Sequence, residues 1–210
     1  MAIRAVVFDI GGVLEITPDL GLTEKWERLL HLKPGELNER MAGVWHAGSL
    51  GLCSEEQVLQ SLKENLGMDP VQVDAFMHDV WEEYLGELNV ELAAYFSSLR
   101  PRYRTALLSN SFVGARTREQ QRYHFDQLTD LIIYSHEVGI AKPDRRIYEL
   151  TCERLGVQPA QMIFLDDNEG HLKAAREFGI HAILFQNTLQ AIADIEAVLP
   201  LAKRNFYRCH

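Results

Sequence analysis

Cysteine is scarce. Cys53, Cys152 and Cys209 are the three in 210 residues, and they stand far apart, without the close spacing of a metal site or a disulfide framework. They read as reduced thiols of a cytoplasmic protein. Long apolar runs are missing: no stretch of about 18 consecutive apolar residues occurs, so no membrane span is expected. Positive charge is in deficit, with 21 Lys and Arg against 30 Asp and Glu and a formal net charge of -9. That weakens any nucleic-acid reading, which wants a basic face. It leaves room for an anionic small molecule, because a local cation can hold one inside an acidic protein. No internal repeat or low-complexity segment is present. An apolar run opens at Ala5, close behind Met1, so no signal peptide is expected.

What the chain does have is a full core's worth of apolar residues, 47%, with 24% charged. It is therefore globular, with a length suited to one large domain or a little more. The stretch that organises it is Ala5-Val6-Val7-Phe8-Asp9-Ile10-Gly11-Gly12-Val13-Leu14. Val6, Val7 and Phe8 show no polar alternation, which predicts a strand buried on both faces. Asp9 is then carried to the carboxyl end of that strand, where open parallel sheets bind ligands. A carboxylate there is costly unless it meets a cation or a donor.

From residue 15 to about 88 the pattern predicts helices and no strand. Trp26, Leu29 and Leu30 fall at helical spacing, and Pro34 could start a helix carrying Leu37, Met41, Val44 and Trp45. His46-Ala47-Gly48-Ser49-Leu50-Gly51 reads as a break. Ser54 with Gln57 makes a capping box, and Gly67 ends that helix. Asp69-Pro70 opens the next, with Val73, Phe76, Met77, Val80, Trp81 and Tyr84 as its apolar stripe. Four short helices with their own aromatic residues look like an inserted lid, in which Trp26, Trp45, Phe76 and Trp81 are expected as core. Residues 15–19 and 86–89 would be its hinges.

Beyond residue 89, apolar strands near 105–108, 131–134, 162–165 and 182–185 alternate with helices near 90–99, 113–127, 143–155, 169–178 and 188–199. Such alternation predicts βαβ units and a doubly wound parallel sheet of about five strands, an α/β, Rossmann-like fold. The expected division is a core of residues 1–15 and 89–210 with a helical cap of residues 16–88. The tail holding Lys203, Arg204, Phe206 and Tyr207 is either docked or frayed.

Four strand ends now carry polar groups: Asp9; Ser109 with Asn110; Lys142, just beyond the third strand; and Asp166 with Asp167. In a parallel sheet these ends share one edge. Carboxylates gathered there stay ionised together around a cation, and their hard oxygens suit Mg²⁺. Lys142 adds a point charge for an anion or for Asp9 itself. Ser109, Asn110 and Lys142 are the expected phosphate-binding residues: Ser109 offers a hydroxyl, and the turn after it points backbone N–H groups at an anion. The chemistry implied is attack by an aspartate on phosphorus, followed by hydrolysis of the aspartyl-phosphate.

With Asp9-Ile10-Gly11-Gly12-Val13-Leu14, Leu108-Ser109-Asn110, Lys142-Pro143 and Phe164-Leu165-Asp166-Asp167-Asn168 in that order, the chain resembles the haloacid dehalogenase superfamily of phosphatases. It is most similar to the subgroup with a small helical cap, which includes bacterial glucose-1-phosphate phosphatases. The resemblance runs from Ile3 to about Phe185. It implies Asp9 as nucleophile and metal ligand, Asp167 as the more direct metal carboxylate, and Asp166 acting through water. It also implies that the backbone carbonyl of Gly11 reaches Mg²⁺. Family phosphatases usually carry a second aspartate at that position as general acid and base, and glycine removes the proton transfer, worth about 10²–10⁴-fold in rate. Leaving groups that need little protonation, such as anomeric sugar phosphates or aryl phosphates, then become the favoured substrates. Glu15, His46 and His136 are the residues that could replace the acid. The resulting expectation is a cytoplasmic, Mg²⁺-dependent phosphomonoesterase of a small phosphorylated metabolite, monomer or homodimer. A 2-haloacid dehalogenase would share Asp9 and Lys142 but needs no metal, so the Asp166-Asp167 pair argues against it. A catalytically silent binding or regulatory module is the reading from another class, and Gly11 alone favours it.

Overall fold

The computed structural model describes residues 1–199. β1 (Ala5–Phe8) leads through a tight turn into the two-residue strand β2 (Glu15–Ile16). Four helices follow, α1 (Leu22–Leu29), α2 (Glu36–Ser49), α3 (Glu55–Leu66) and α4 (Pro70–Leu85), and then β3 (Glu87–Leu88). From there strands and helices alternate: α5 (Val90–Ser98), β4 (Arg104–Ser109), α6 (Ala115–Tyr123), α7 (Phe125–Leu128), β5 (Leu131–Tyr134), α8 (Ser135–Val138), α9 (Arg145–Leu155), β6 (Met162–Asp166), α10 (Glu169–Glu177), β7 (His181–Leu184) and α11 (Thr188–Val198).

The main sheet has five strands in the order β5-β4-β1-β6-β7, every pair parallel. β1 is central, which accounts for its unbroken apolar run. Val6 and Phe8 pack into one layer with Leu92, Phe96 and Ile195. Ala5 and Val7 face the other, with Ile147, Tyr148 and Leu172. The chain leaves β1 towards β4 and β5 and later returns on the opposite side to β6. The carboxyl end of β1 is therefore the switch point where a crevice must open.

The helices between β2 and β3 bury a third apolar cluster of their own, including Trp26, Leu37, Met41, Leu62, Phe76 and Trp81. Two capping boxes start α3 and α4, Ser54 with Gln57 and Asp69 with Gln72. Gly67, in the left-handed conformation, ends α3.

Several expectations need correction. Residues 15–88 do contain strand: β2 pairs antiparallel with β3, Glu15 against Leu88 and Ile16 against Glu87. Two-residue strands are too short to leave a periodic signal. Gly86 permits their close approach, since a Cβ there would strike the Ile16 backbone. The break expected at residues 46–51 begins later, because α2 runs through Ser49. Gly48 is helical and marks packing: a Cβ on it would overlap the Phe112 ring. Residues 113–127 form two helices, divided at His124, whose φ is 53°. Pro143 precedes α9 rather than starting it, and the Asp144 side chain caps the helix by accepting the Arg146 N–H.

Cys53 and Cys152 are free thiols. No helix among the described residues is long and apolar enough to cross a membrane. Cys209 and the tail from Lys203 to Tyr207 lie outside the described residues.

Candidate active site

β1, β4 and β6 end side by side, and the sheet thereby delivers Asp9, Ser109 and Asp166 to one edge. The Asp9 N–H donates to the Leu165 carbonyl at 2.9 Å, which continues the β1–β6 ladder by one residue and fixes the aspartate's backbone. Lys142 reaches the same place from the segment between α8 and α9. Its Nζ lies 2.7 Å from Asp9 Oδ1 and 2.7 Å from Asp166 Oδ2, with the lysine side chain wholly withdrawn from solvent.

Asn110 positions that lysine. Its Oδ1 accepts the Lys142 N–H at 2.8 Å, and its Nδ2 donates to the Lys142 carbonyl at 2.8 Å. The Asn110 side chain is thus committed to the Lys142 backbone.

The two carboxylates beside Lys142 differ. Burial pushes Asp166 up, but hydrogen bonds from His171 and Lys142, together with the lysine charge, outweigh it and hold this carboxyl below the usual range. His171 Nδ1 lies 3.1 Å from Asp166 Oδ1, and the Asn168 N–H donates to the same oxygen at 2.8 Å. Burial wins at Asp9: its carboxyl is raised to about 7, with the Asp166 charge adding to the effect and Lys142 opposing it. The Ile10 N–H donates to Asp9 Oδ1 at 2.8 Å. Among the described residues no hydrogen bond reaches Oδ2. One carboxyl oxygen is therefore held and the other is free.

Asp167 is exposed and leans against the turn after β1, where a Cβ on Gly12 would overlap its carboxylate. Burial and the Asp166 charge raise it. Asp9, Asp166 and His171 offer ligand atoms within 4.8 Å of one another, but the Lys142 ammonium already stands between the two carboxylates. The hard carboxylate oxygens of Asp9, Asp166 and Asp167, in excess over the single ammonium, suit Mg²⁺.

A cavity of about 340 Å³ opens here, lined by Gly11, Glu15, Ser109, Asn110, Val80 and Tyr84 among others. It lies between the sheet edge and α4. Of the three groups considered as a replacement acid, only Glu15 lines it. The Glu15 side chain is buried, its Oε1 has no partner, and burial with the neighbouring Glu119 charge raises it to about 10. His136 instead holds Ser111 Oγ through Nδ1 at 2.7 Å, and His46 is exposed on α2. Behind Glu15, Glu119 is fully buried, accepts the Tyr134 hydroxyl, and is raised to about 7 by burial.

Sequence reasoning missed His171. Its spacing from Asp166, five residues across a helix start, was the available signal, because Asn168 caps α10 and turns His171 back onto the strand end.

A family model described as haloacid dehalogenase-like hydrolase matches residues 3–179. Acyl-CoA dehydrogenase family member 10 of Mus musculus is 30% identical over 93% of this chain, which spans only 19% of that protein. The phosphorylated carbohydrates phosphatase of Thermotoga maritima is 28% identical, with 93% of this chain and 90% of that protein covered. In fold, the chain is similar to HAD family enzyme bt-2542 of Bacteroides thetaiotaomicron, with TM-score 0.78, 21% identity, and 89% and 95% of the two chains covered. That enzyme has also been crystallised with magnesium and inorganic phosphate.

Proposed function

The chain belongs to the haloacid dehalogenase-like hydrolases, and from that premise we propose that it is a Mg²⁺-dependent phosphomonoesterase in which Asp9 is the nucleophile. The observation that carries this reading is the asymmetry of Asp9: Oδ1 is tied to Lys142 and the Ile10 N–H, while Oδ2 is free. Bt-2542, with magnesium and phosphate bound, and the Thermotoga phosphatase, which is similar along nearly its whole length, support the metal and the ester class.

Asp9 Oδ2 attacks phosphorus; a bond to Oδ2 forms and the bond to the leaving oxygen breaks. Lys142 holds the attacking carboxylate in place and adds positive charge to the site. Asp166 and His171 hold the lysine in turn. Ser109 and the turn after β4 receive the transferring oxygens. Mg²⁺, held by Asp9, the Gly11 carbonyl and Asp167, with Asp166 behind them, would neutralise phosphoryl charge. Water then hydrolyses the aspartyl-phosphate. With glycine at residue 11, the leaving oxygen departs unprotonated or takes its proton from Glu15, a buried carboxyl that lines the same cavity as Gly11. Residues 16–88 form the cap over this edge, with β2 and β3 as its hinge.

The test is hydrolysis of p-nitrophenyl phosphate with Mg²⁺, with chelator, and by Asp9→Asn. Activity confined to the first condition supports the reading. Equal rates in all three contradict it.

A further inference from the structure

Resting on the phosphatase reading above, we propose that the cap holds an apolar leaving-group chamber, and that the substrates are phosphate monoesters of ring-bearing apolar alcohols rather than of sugars. A second cavity, about 300 Å³, lies among Trp45, Phe76, Trp81 and Phe112. Leu22, Val80, Tyr84 and Asn110 line both this cavity and the one beside Gly11, so the two share a wall at the phosphoryl site. Its volume is at the lower end of the about 300–1,000 Å³ typical of small-molecule sites.

Three of the chamber's polar side chains are committed elsewhere. The Asn110 side chain is bound to Lys142, Ser111 Oγ to His136, and the Ser49 hydroxyl to the His46 carbonyl. Thr23, Asn38 and the Tyr84 hydroxyl remain on the wall, beside the apolar side chains of Leu22, Leu37 and Val80. A sugar would bring several hydroxyls against a wall made mostly of apolar and aromatic side chains, and each hydroxyl left unpaired there loses its water without compensation. An apolar ring loses nothing of the kind and gains contact with the aromatic walls. Trp45 and Phe112 meet edge to face at 5.7 Å, and Trp45 and Phe76 are stacked at 6.3 Å, which leaves flat surfaces at the cavity's border. Trp81 Nε1 is buried without a partner, a donor available to one acceptor on the guest. The aryl members of this class also suit residue 11, since an aryl oxygen leaves with little need of a proton.

The test separates binding from turnover. Calorimetry with Mg²⁺ present compares benzylphosphonate with methylphosphonate, two non-hydrolysable anions that differ by one ring. The expected result is at least about tenfold tighter binding of benzylphosphonate, the gain from burying a ring. The ratio should fall towards one in Trp45→Ala and, as a second variant, Phe112→Leu, each checked for fold by circular dichroism. Equal affinities in the unmodified protein overturn the chamber. In turnover, cyclohexylmethyl phosphate should exceed glucose 6-phosphate in kcat/KM by a similar factor, although both release a primary alkoxide. A preference for the sugar also overturns the chamber. Acetyl phosphate reports on the phosphatase reading alone. Its hydrolysis alongside equal phosphonate affinities would sink the chamber and spare the enzyme. Its stability alongside unequal affinities would do the reverse.

Discussion

Lys142 Nζ stands 2.7 Å from Asp166 Oδ2, and both side chains are wholly withdrawn from water. A pair so placed is costly to break, because removing one partner strands the other charge in the interior. Lys142→Met should therefore lower stability by about 3–5 kcal/mol, read by chemical denaturation. Adding Asp166→Asn to that variant should recover part of the loss. Full stability in Lys142→Met would mean that the ammonium is not the partner on which the two carboxylates depend.

Gly12 makes room for Asp167. Its φ of 73° disfavours a side chain, and a Cβ would overlap the carboxylate. Gly12→Ala should raise the Mg²⁺ concentration needed for half-maximal activity by at least about tenfold, as should Asp167→Asn, in line with the effect of disturbing a metal's supporting groups. Unchanged Mg²⁺ titrations in both variants would remove Asp167 from the metal's ligands.

Glu119 makes stability depend on pH. Its folded carboxyl is raised to about 7 from an ordinary value of 4.5. Between those values the folded state keeps a proton that the unfolded state has released. Stability is therefore greatest below 4.5 on this account and falls as pH rises through about 7. The loss is on the order of 3 kcal/mol. Glu15, raised to about 10, extends the same trend further. Glu119→Gln, which keeps an oxygen for the Tyr134 hydroxyl, should flatten the decline seen in denaturant midpoints between pH 5 and pH 8, about the span of that titration. An undiminished slope would place the pH dependence elsewhere.

Glu15 shares the cavity wall with Gly11 and has an unpartnered carboxyl oxygen. Glu15→Gln should slow esters of basic alcohols by about 10²–10⁴-fold, the worth of general acid catalysis, and leave esters of acidic phenols much less affected. Rates plotted against leaving-group pKa would then steepen in the variant. Parallel plots would mean that no side chain supplies the proton.

Much of this architecture could be read from the sequence because the relevant signals are local. Buried parallel strands are continuous apolar runs, so residues 5–8, 131–134 and 162–165 stood out. Residues 5–8 and 162–165 each ran into an aspartate that the topology must carry to one edge. Ser54 with Gln57 and Asp69 with Pro70 announced helix starts through backbone groups a few residues away. What escaped depended on distant partners. β2 and β3 exist only because each finds the other across about seventy residues, a pairing that no local pattern encodes. Gly48 looked like punctuation until Phe112 was found against it. His171 carried only the signal of its spacing from Asp166, and Asn110, expected to meet phosphate, gives its side chain to Lys142. The Trp45, Phe76 and Trp81 rings were expected as core; they are core on one side and cavity wall on the other, a duality that side-chain periodicity does not express.

The account's central claim is that the free oxygen of Asp9 accepts phosphorus covalently. Acid quenching during turnover of an aryl phosphate, followed by peptide mass spectrometry, tests it most directly. The account predicts phosphate on the peptide containing Asp9, present with Mg²⁺ and missing with chelator or in Asp9→Asn. Steady turnover with that peptide never modified, or turnover persisting in Asp9→Asn, would contradict it.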